Sequence, residues 1–261
     1  MPIYSLMLLA IDIGNTHTVL GVFDKKKLVS DWRLSSAIGR TEDECWLVVK
    51  LFLENGNIKP KKVTGVGISS VVPNLTDIFQ MMARKYFNVE PLTVTADSKL
   101  GLKIRYDDPG AVGSDRLCNA VAGFAKYGGP LIIIDFGTAT TYDVISKTGE
   151  YLGGIIAPGI EAAAADLHRR AARLPKIELH FPTKLIGTDT ITSMQSGILY
   201  AAVDAMEGMI HRIKEVVGKE AAVAATGGHA RLVYEHSRGI NYVEPSLVLD
   251  GIRLIYERNR T

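Results

Sequence analysis

The chain has 261 residues, 47% of them hydrophobic and 22% charged, the balance of a folded globular protein and not of a disordered or fibrous one. Its 30 Lys and Arg against 28 Asp and Glu are scattered, which excludes the basic footprint that a nucleic-acid backbone requires, so no nucleic-acid partner is expected. No apolar run approaches the ~18 residues of a membrane span, and Met1 to Leu9 lacks a basic leading segment and a small-residue cleavage site, so a soluble, unexported protein is expected.

Met1 to Leu6 reads as an upstream extension with no role assigned. Leu8 to Ile13 is an apolar strand closed by the turn residues Gly14-Asn15; Val19 to Phe23 and Leu28 to Leu34 continue an antiparallel meander around the solvated tip Lys25-Lys26-Lys27. Trp46, Val49 and Leu53 recur at helical spacing between Thr41 and Asn55, and Thr41 with Glu44 three positions on forms a capping box. Val63 to Ser69 reads as a buried strand, Leu75 to Tyr86 as a helix and Glu90 to Val94 as another strand. Arg116 to Lys126 then reads as a helix, Leu131 to Asp135 as an apolar strand ending in an acid, and Thr140 to Ser146 and Tyr151 to Ala157 as strands about the Lys147-Thr148-Gly149 turn. Helices are expected over Ile160 to Arg173, Ser193 to Val217 and Leu247 to Tyr256, with a short strand over Ala221 to Ala225. Cys45 and Cys118 stand far apart with no CxxC partner, so neither a disulfide framework nor a zinc site is indicated, and a reducing cytoplasm suits them.

A weak internal repeat runs through these elements. Strand, acid, Gly-Asn-Thr, strand at Asp12 is echoed by strand, acid, Phe-Gly-Thr, strand at Asp135. The duplication predicts two related α/β halves, residues 7–120 and 121–261, with a ligand cleft between them and the last helix able to pack on the first half.

Four segments carry chemistry. At Asp12-Ile13-Gly14-Asn15-Thr16 a tight turn at a strand end aims backbone N–H groups at one point, and Gly14 lets an oxyanion approach with no Cβ in the way. Asp12 offers a hard oxygen to a divalent ion accompanying a nucleotide; the alternative is an ordinary Gly-Asn hairpin turn. Asp135-Phe136-Gly137-Thr138-Ala139-Thr140-Thr141 is a second such turn, and two of them can grip one polyphosphate from opposite sides. Neither a Walker-type loop nor a GxGxxG after a strand competes with them. Thr226-Gly227-Gly228 either lies against a flat nucleoside or is a plain strand-to-helix turn. In Gly113-Ser114-Asp115-Arg116 the acid can orient and deprotonate an acceptor hydroxyl beside a positive charge, or it can cap the helix that starts at Arg116; the two roles are compatible.

Read in order, Asp12 to Thr16, Thr41 to Glu44, Gly113 to Arg116, Asp135 to Thr141, Gly153 to Gly159 and Thr226 to Gly228 resemble the pattern of type III pantothenate kinases over nearly the whole chain. The resemblance implies duplicated ribonuclease H-like domains of the actin-like ATPase class, each with a mixed five-stranded-type sheet flanked by helices, and ATP-dependent phosphorylation of pantothenate, the first step of coenzyme A synthesis. It implies ATP-binding roles for Asp12, Ile13, Gly14, Asn15, Thr16, His17, Thr18, Val19 and Thr138, with Mg²⁺ accompanying the ATP. It makes Asp115 the catalytic base and sets Tyr106, Gly113, Ser114, Asp115, Arg116 and Thr190 around the pantothenate. It makes Asp135 the ligand of a potassium or ammonium ion, which fits an acid on an apolar strand with no Lys or Arg between Pro130 and Ser146. It further implies a homodimer sharing the substrate site. Two positions depart from the usual pattern: many members carry Ala at Ser114, and Thr188-Asp189 replaces Lys-Asn ahead of Thr190. The competing expectations are a nucleotide-binding regulatory protein of the same fold without turnover, and a kinase acting on another polyol or acid.

Overall fold

Strands β1 (Met7–Ile13), β2 (His17–Asp24) and β3 (Lys27–Ser35) form an antiparallel meander, because two short turns leave no length for a crossover. The structure is a computed structural model in which residues 7–260 are described, so the upstream extension Met1 to Leu6 lies outside them. Residues divide into two units: residues 7–102, 107–122 and 247–260 in the first, residues 103–106 and 123–246 in the second.

In unit 1 the meander leads into α1 (Glu42–Asn55), whose length lets the chain cross over and return as β4 (Val63–Ser70), parallel to β1. The capping box forms as the sequence predicts: the Thr41 hydroxyl accepts from Glu44 N–H, and the Glu44 carboxylate accepts from Thr41 N–H at 2.8 Å. Such a cap contributes about 1 kcal/mol. Helix α2 (Pro73–Met82) is shorter than the expected Leu75 to Tyr86 helix at its far end. It widens into a π turn over Ala83–Phe87 and closes at Asn88, which takes the left-handed conformation at φ 54°. The wide turn presents two successive rings to α1, where Trp46 stacks on Tyr86 at 4.6 Å and meets Phe87 edge-on at 5.3 Å. Strand β5 (Leu92–Thr93) completes a sheet of order β3-β2-β1-β4-β5. Helix α3 starts in this unit and spans Ser114–Tyr127.

Unit 2 repeats the arrangement. Strands β7 (Leu131–Phe136), β8 (Ala139–Ile145) and β9 (Glu150–Pro158) form the meander, α4 (Ile160–Arg170) and α5 (Thr190–Val217) follow, and β10 (Ala222–Thr226) returns parallel to β7. After α6 (Ala230–Tyr234), β11 (Tyr242–Val243) extends the sheet, and β6 (Lys103–Ile104) adds a sixth strand beside β9, giving β11-β10-β7-β8-β9-β6. Without β6 the order matches that of unit 1 strand for strand. This is the duplicated ribonuclease H-like fold of actin-like ATPases that the family resemblance implies. Each unit has its own core: Leu9, Ile11, Val66, Ile68 and Phe79 in the first, Ile132, Ile134, Leu199, Val223 and Val233 in the second.

The last helix, α7 (Leu247–Asn259), belongs to unit 1 and packs on β1, β2 and β4. Gly67 makes the seat, since a Cβ there would stand 2.6 Å from the Ile252 side chain. Among the described residues no helix is long and apolar enough to cross a membrane.

Candidate active site

Asp12 lies near the end of β1, opposite Ser69 of the parallel strand β4. The Ser69 hydroxyl donates to Asp12 Oδ1 at 2.9 Å. Beyond the strand the Gly14 N–H donates to the His17 carbonyl at 3.0 Å, closing a turn whose tip, Asn15, Thr16 and His17, is exposed. Ser36 straps this turn from behind: its hydroxyl donates to the Gly14 carbonyl at 2.6 Å and lies 2.9 Å from the hydroxyl of the fully buried Thr18. Ile13 and Thr18 are buried and Asp12, Gly14 and Val19 half-buried, so within the expected phosphate segment the groups most open to a ligand are those of the tip.

The helix after Gly113 begins earlier than the sequence suggests. It starts at Ser114, so Asp115 stands inside the first turn instead of capping a helix that starts at Arg116. There its Oδ1 accepts from Arg116 N–H at 2.8 Å, the favourable placement of a carboxylate at a helix N-terminus. Gly113 and Ser114 line a concavity of about 560 Å³ with Ser70, Val94, Asp97 and Gly110. Arg116 is buried. One turn along α3, burial pushes the Cys118 thiol well up and the Asp12 carboxylate adds to this, with the Ser69 hydroxyl opposing and Asp115 contributing less. Cys118 therefore stays a protonated, inert thiol.

In unit 2, Asp135 holds the equivalent position on β7, between Thr141 of β8 and Thr226 of β10. Residues directly opposite share a sheet face, so a carboxylate is flanked by two threonines. The Thr141 hydroxyl oxygen is buried and makes no hydrogen bond. Gly227 adopts φ +90°, and a Cβ there would overlap Asp135 Oδ1 and lie 2.7 Å from the Phe136 nitrogen. The Thr226-Gly227-Gly228 turn thus presses its backbone against the acid while leading into α6. Gly137 and Thr138 are exposed at the turn between β7 and β8. Thr190 opens α5 behind the cap Asp189, which accepts from Thr192 N–H at 2.9 Å. It shares a cavity of about 1010 Å³ with Phe136, Thr140, Pro158, Gly159 and Met194. Tyr106 lies elsewhere in the unit, its ring centroid 6.4 Å from that of Tyr151, whose hydroxyl donates to the buried Asp143 at 2.6 Å.

The site residues expected from sequence therefore fall into two groups: Asp12 with the Gly113–Arg116 segment in unit 1, and Asp135, Thr138, Thr190 and Tyr106 in unit 2. Ser69 and Ser36, both bonded to the Asp12 turn, were not singled out from the sequence. The available signal was a pair of hydroxyls, Ser69-Ser70, ending an otherwise apolar strand beside an acid-ended one. Among the described residues no group of three His, Cys, Asp or Glu is placed to hold a metal ion. A single carboxylate such as Asp12 can serve an ion that arrives with a nucleotide, since Mg²⁺ takes one or two carboxylates and completes its shell with water and phosphate.

Comparison with known proteins agrees with this architecture. Residues 8–212 match the family model described as type III pantothenate kinase. A type III pantothenate kinase of Exiguobacterium sp. is 49% identical over 97% of this chain and 100% of its own length. Another, from Bacillus cytotoxicus, is 46% identical over 97% of each. Among solved structures, a Campylobacter jejuni protein described as a Baf family transcriptional activator is similar at TM-score 0.58 and 19% identity, covering 96% of this chain and 98% of its own. A Listeria monocytogenes protein described as an N-acetylmannosamine kinase is similar at TM-score 0.55 and 10% identity, covering 98% and 100%. These distant likenesses speak for the fold alone. With a family model across most of its length and two relatives at nearly half identity, the chain belongs to the type III pantothenate kinase family.

Proposed function

We infer that this protein transfers the γ-phosphoryl group of ATP to pantothenate, giving 4'-phosphopantothenate in the first step of coenzyme A biosynthesis. The observation that carries the reading is the near-complete correspondence with type III pantothenate kinases, 97% of this chain against whole relatives. Phosphoryl transfer asks of a protein mainly positioning and charge compensation, with one carboxylate to receive the acceptor proton.

In this reading Asp115 accepts the proton of the pantothenate hydroxyl as the oxygen attacks the γ-phosphorus. The exposed tip Asn15-Thr16-His17 and the Gly137-Thr138 turn take the ATP phosphates, and Asp12 faces the Mg²⁺ that accompanies them. Gly113 and Arg116 are read as acceptor contacts, and the family resemblance adds Tyr106 and Thr190 to that role. Asp135 holds a potassium or ammonium ion that adds positive charge near the phosphates; the unpartnered Thr141 hydroxyl beside it supports an oxygen-lined cation site, since such ions take hard oxygen donors. The protein acts in the cytoplasm as a homodimer. Exposed Leu185, Ile186 and Ile191 next to Thr190 support a partner surface there, Ile186 being 81% exposed.

A coupled assay of ADP release tests the reading across pantothenate, glycerol and common sugars, with potassium and Mg²⁺ present. ADP release with pantothenate alone is expected. Release with another acceptor and none with pantothenate would replace the substrate; no release with any acceptor would favour a nucleotide-binding regulator. Light scattering in solution tests the dimer, and a monomeric mass would remove it.

A further inference from the structure

The Asp12 carboxylate is held by a directed chain of hydroxyls that begins at the helix carrying Asp115. Ser70 N–H donates to Ser114 Oγ at 2.7 Å, Ser114 Oγ lies 3.1 Å from Ser69 Oγ and 3.0 Å from the Ser70 carbonyl, and the Ser69 hydroxyl donates to Asp12 Oδ1 at 2.9 Å. Ser69 is fully buried and Ser114 is 7% exposed, so neither exchanges these partners freely with water. Counting protons sets the direction. An ionised carboxylate only accepts, so the single Ser69 proton is committed to Asp12. Ser69 Oγ is then left to accept, from the protonated Cys118 thiol and from Ser114, whose single proton is shared with the Ser70 carbonyl while Ser70 N–H fixes the Ser114 oxygen from the other side.

We propose that Ser69 and Ser114 are positioning residues that fix the rotation of the Asp12 carboxylate and tie it to the first turn of α3, so that Asp12 and Asp115 are set by one rigid network. The proposal rests on the reading of Asp12 as the carboxylate that faces the nucleotide-bound Mg²⁺. Ser114, expected from the family resemblance among the pantothenate contacts, has its hydroxyl engaged inward by Ser69 and Ser70. In a low-dielectric setting such linked bonds strengthen one another, and the bond to the charged member is the strongest. Ser69 thus governs Asp12 directly and Ser114 acts through Ser69. That order predicts a graded and non-additive pair of effects.

Calorimetric titration of ATP at a series of Mg²⁺ concentrations, without acceptor, tests this on the purified chain. Ser69→Ala is expected to weaken MgATP binding by roughly 10-fold, the lower end for removing a support of a metal-facing carboxylate, and to raise the Mg²⁺ concentration needed for half of the ATP affinity. Affinity for ATP in EDTA is expected to match that of the unsubstituted protein. Ser114→Ala is expected to shift the Mg²⁺ requirement in the same direction by less, and to add nothing in a Ser69→Ala background. A purely structural role would lower the melting temperature and leave the Mg²⁺ dependence unmoved, and that result overturns the proposal. If Ser69→Ala does not fold, Ser114→Ala alone decides, and a Mg²⁺ requirement equal to that of the unsubstituted protein overturns it. Failure of the unsubstituted protein to bind MgATP at all would instead remove the reading of Asp12, and the proposal with it.

Discussion

Asp12 and Asp135 occupy the same place in two copies of one topology, each on the strand between a hairpin partner and a parallel neighbour, yet their surroundings differ in kind. Opposite Asp12 stand Val19, which has no oxygen in its side chain, and Ser69, which donates to the carboxylate. Opposite Asp135 stand two threonines, and the backbone of Gly227 closes over the acid. The first environment orients a carboxylate and leaves the rest of a cation's shell to water and phosphate, which suits Mg²⁺, an ion reluctant to lose its water. The second sets protein oxygens around a carboxylate, the feature on which the proposed monovalent-ion site rests. Duplication supplied the position, and the neighbouring strands set its chemistry.

The largest expected effect lies on the acid in the first turn of α3. Asp115→Asn should lower kcat by roughly 10²–10⁴-fold, the usual cost of losing a general base, with MgATP affinity retained in calorimetry. Near-normal turnover would move the base elsewhere. Next comes Asp12→Ala, which should weaken MgATP binding by about 3 kcal/mol, roughly 100-fold, with little change in pantothenate KM. An effect on pantothenate instead would break the division of labour between the two acids. Replacing potassium with sodium at equal ionic strength should lower activity roughly 10-fold, the scale of one lost charge-assisted contact of about 1.5 kcal/mol. Asp135→Asn should abolish that preference whereas Asp12→Ala should keep it; full activity in sodium with Mg²⁺ present would give Asp135 another role. The smallest change is expected from Thr138→Ala, which removes a hydroxyl and no charge and should raise the KM for ATP by a few-fold, about 1 kcal/mol.

Much of this was legible in the chain because the decisive features are local. An apolar run that stops at an acid followed by a glycine turn marks the end of a strand, so Asp12 and Asp135 stand where their sequences imply, as does the Thr41 capping box. Hydrophobic periodicity has nothing to say about pairings set from far away. Strands β6 and β11 have two residues each, too few for any alternation, and exist because β9 and β10 offer them edges. The π turn at Ala83–Phe87 reads as ordinary helix until Trp46 is known to wait beside it. Ser69 reads only as the last residue of a buried strand because its partner lies 57 residues earlier in the chain. The resemblance sets Ser114 around the pantothenate, and a hydroxyl beside Asp115 gives no sign in the sequence of which way it turns.

The seat of α7 sets an order of events during synthesis. Residues 123–246 emerge as one uninterrupted stretch and contain all of unit 2 except residues 103–106, which carry the short strand β6. Unit 1 is begun first and finished last: the face of β4 that carries Gly67 stays bare to the cell until residues 247–260 have been made. The earlier half of the chain must therefore wait, with an apolar sheet face uncovered, while the later half folds to completion. A chain truncated before residue 247 would carry every residue of unit 2 attached to a unit 1 whose β4 face is left uncovered.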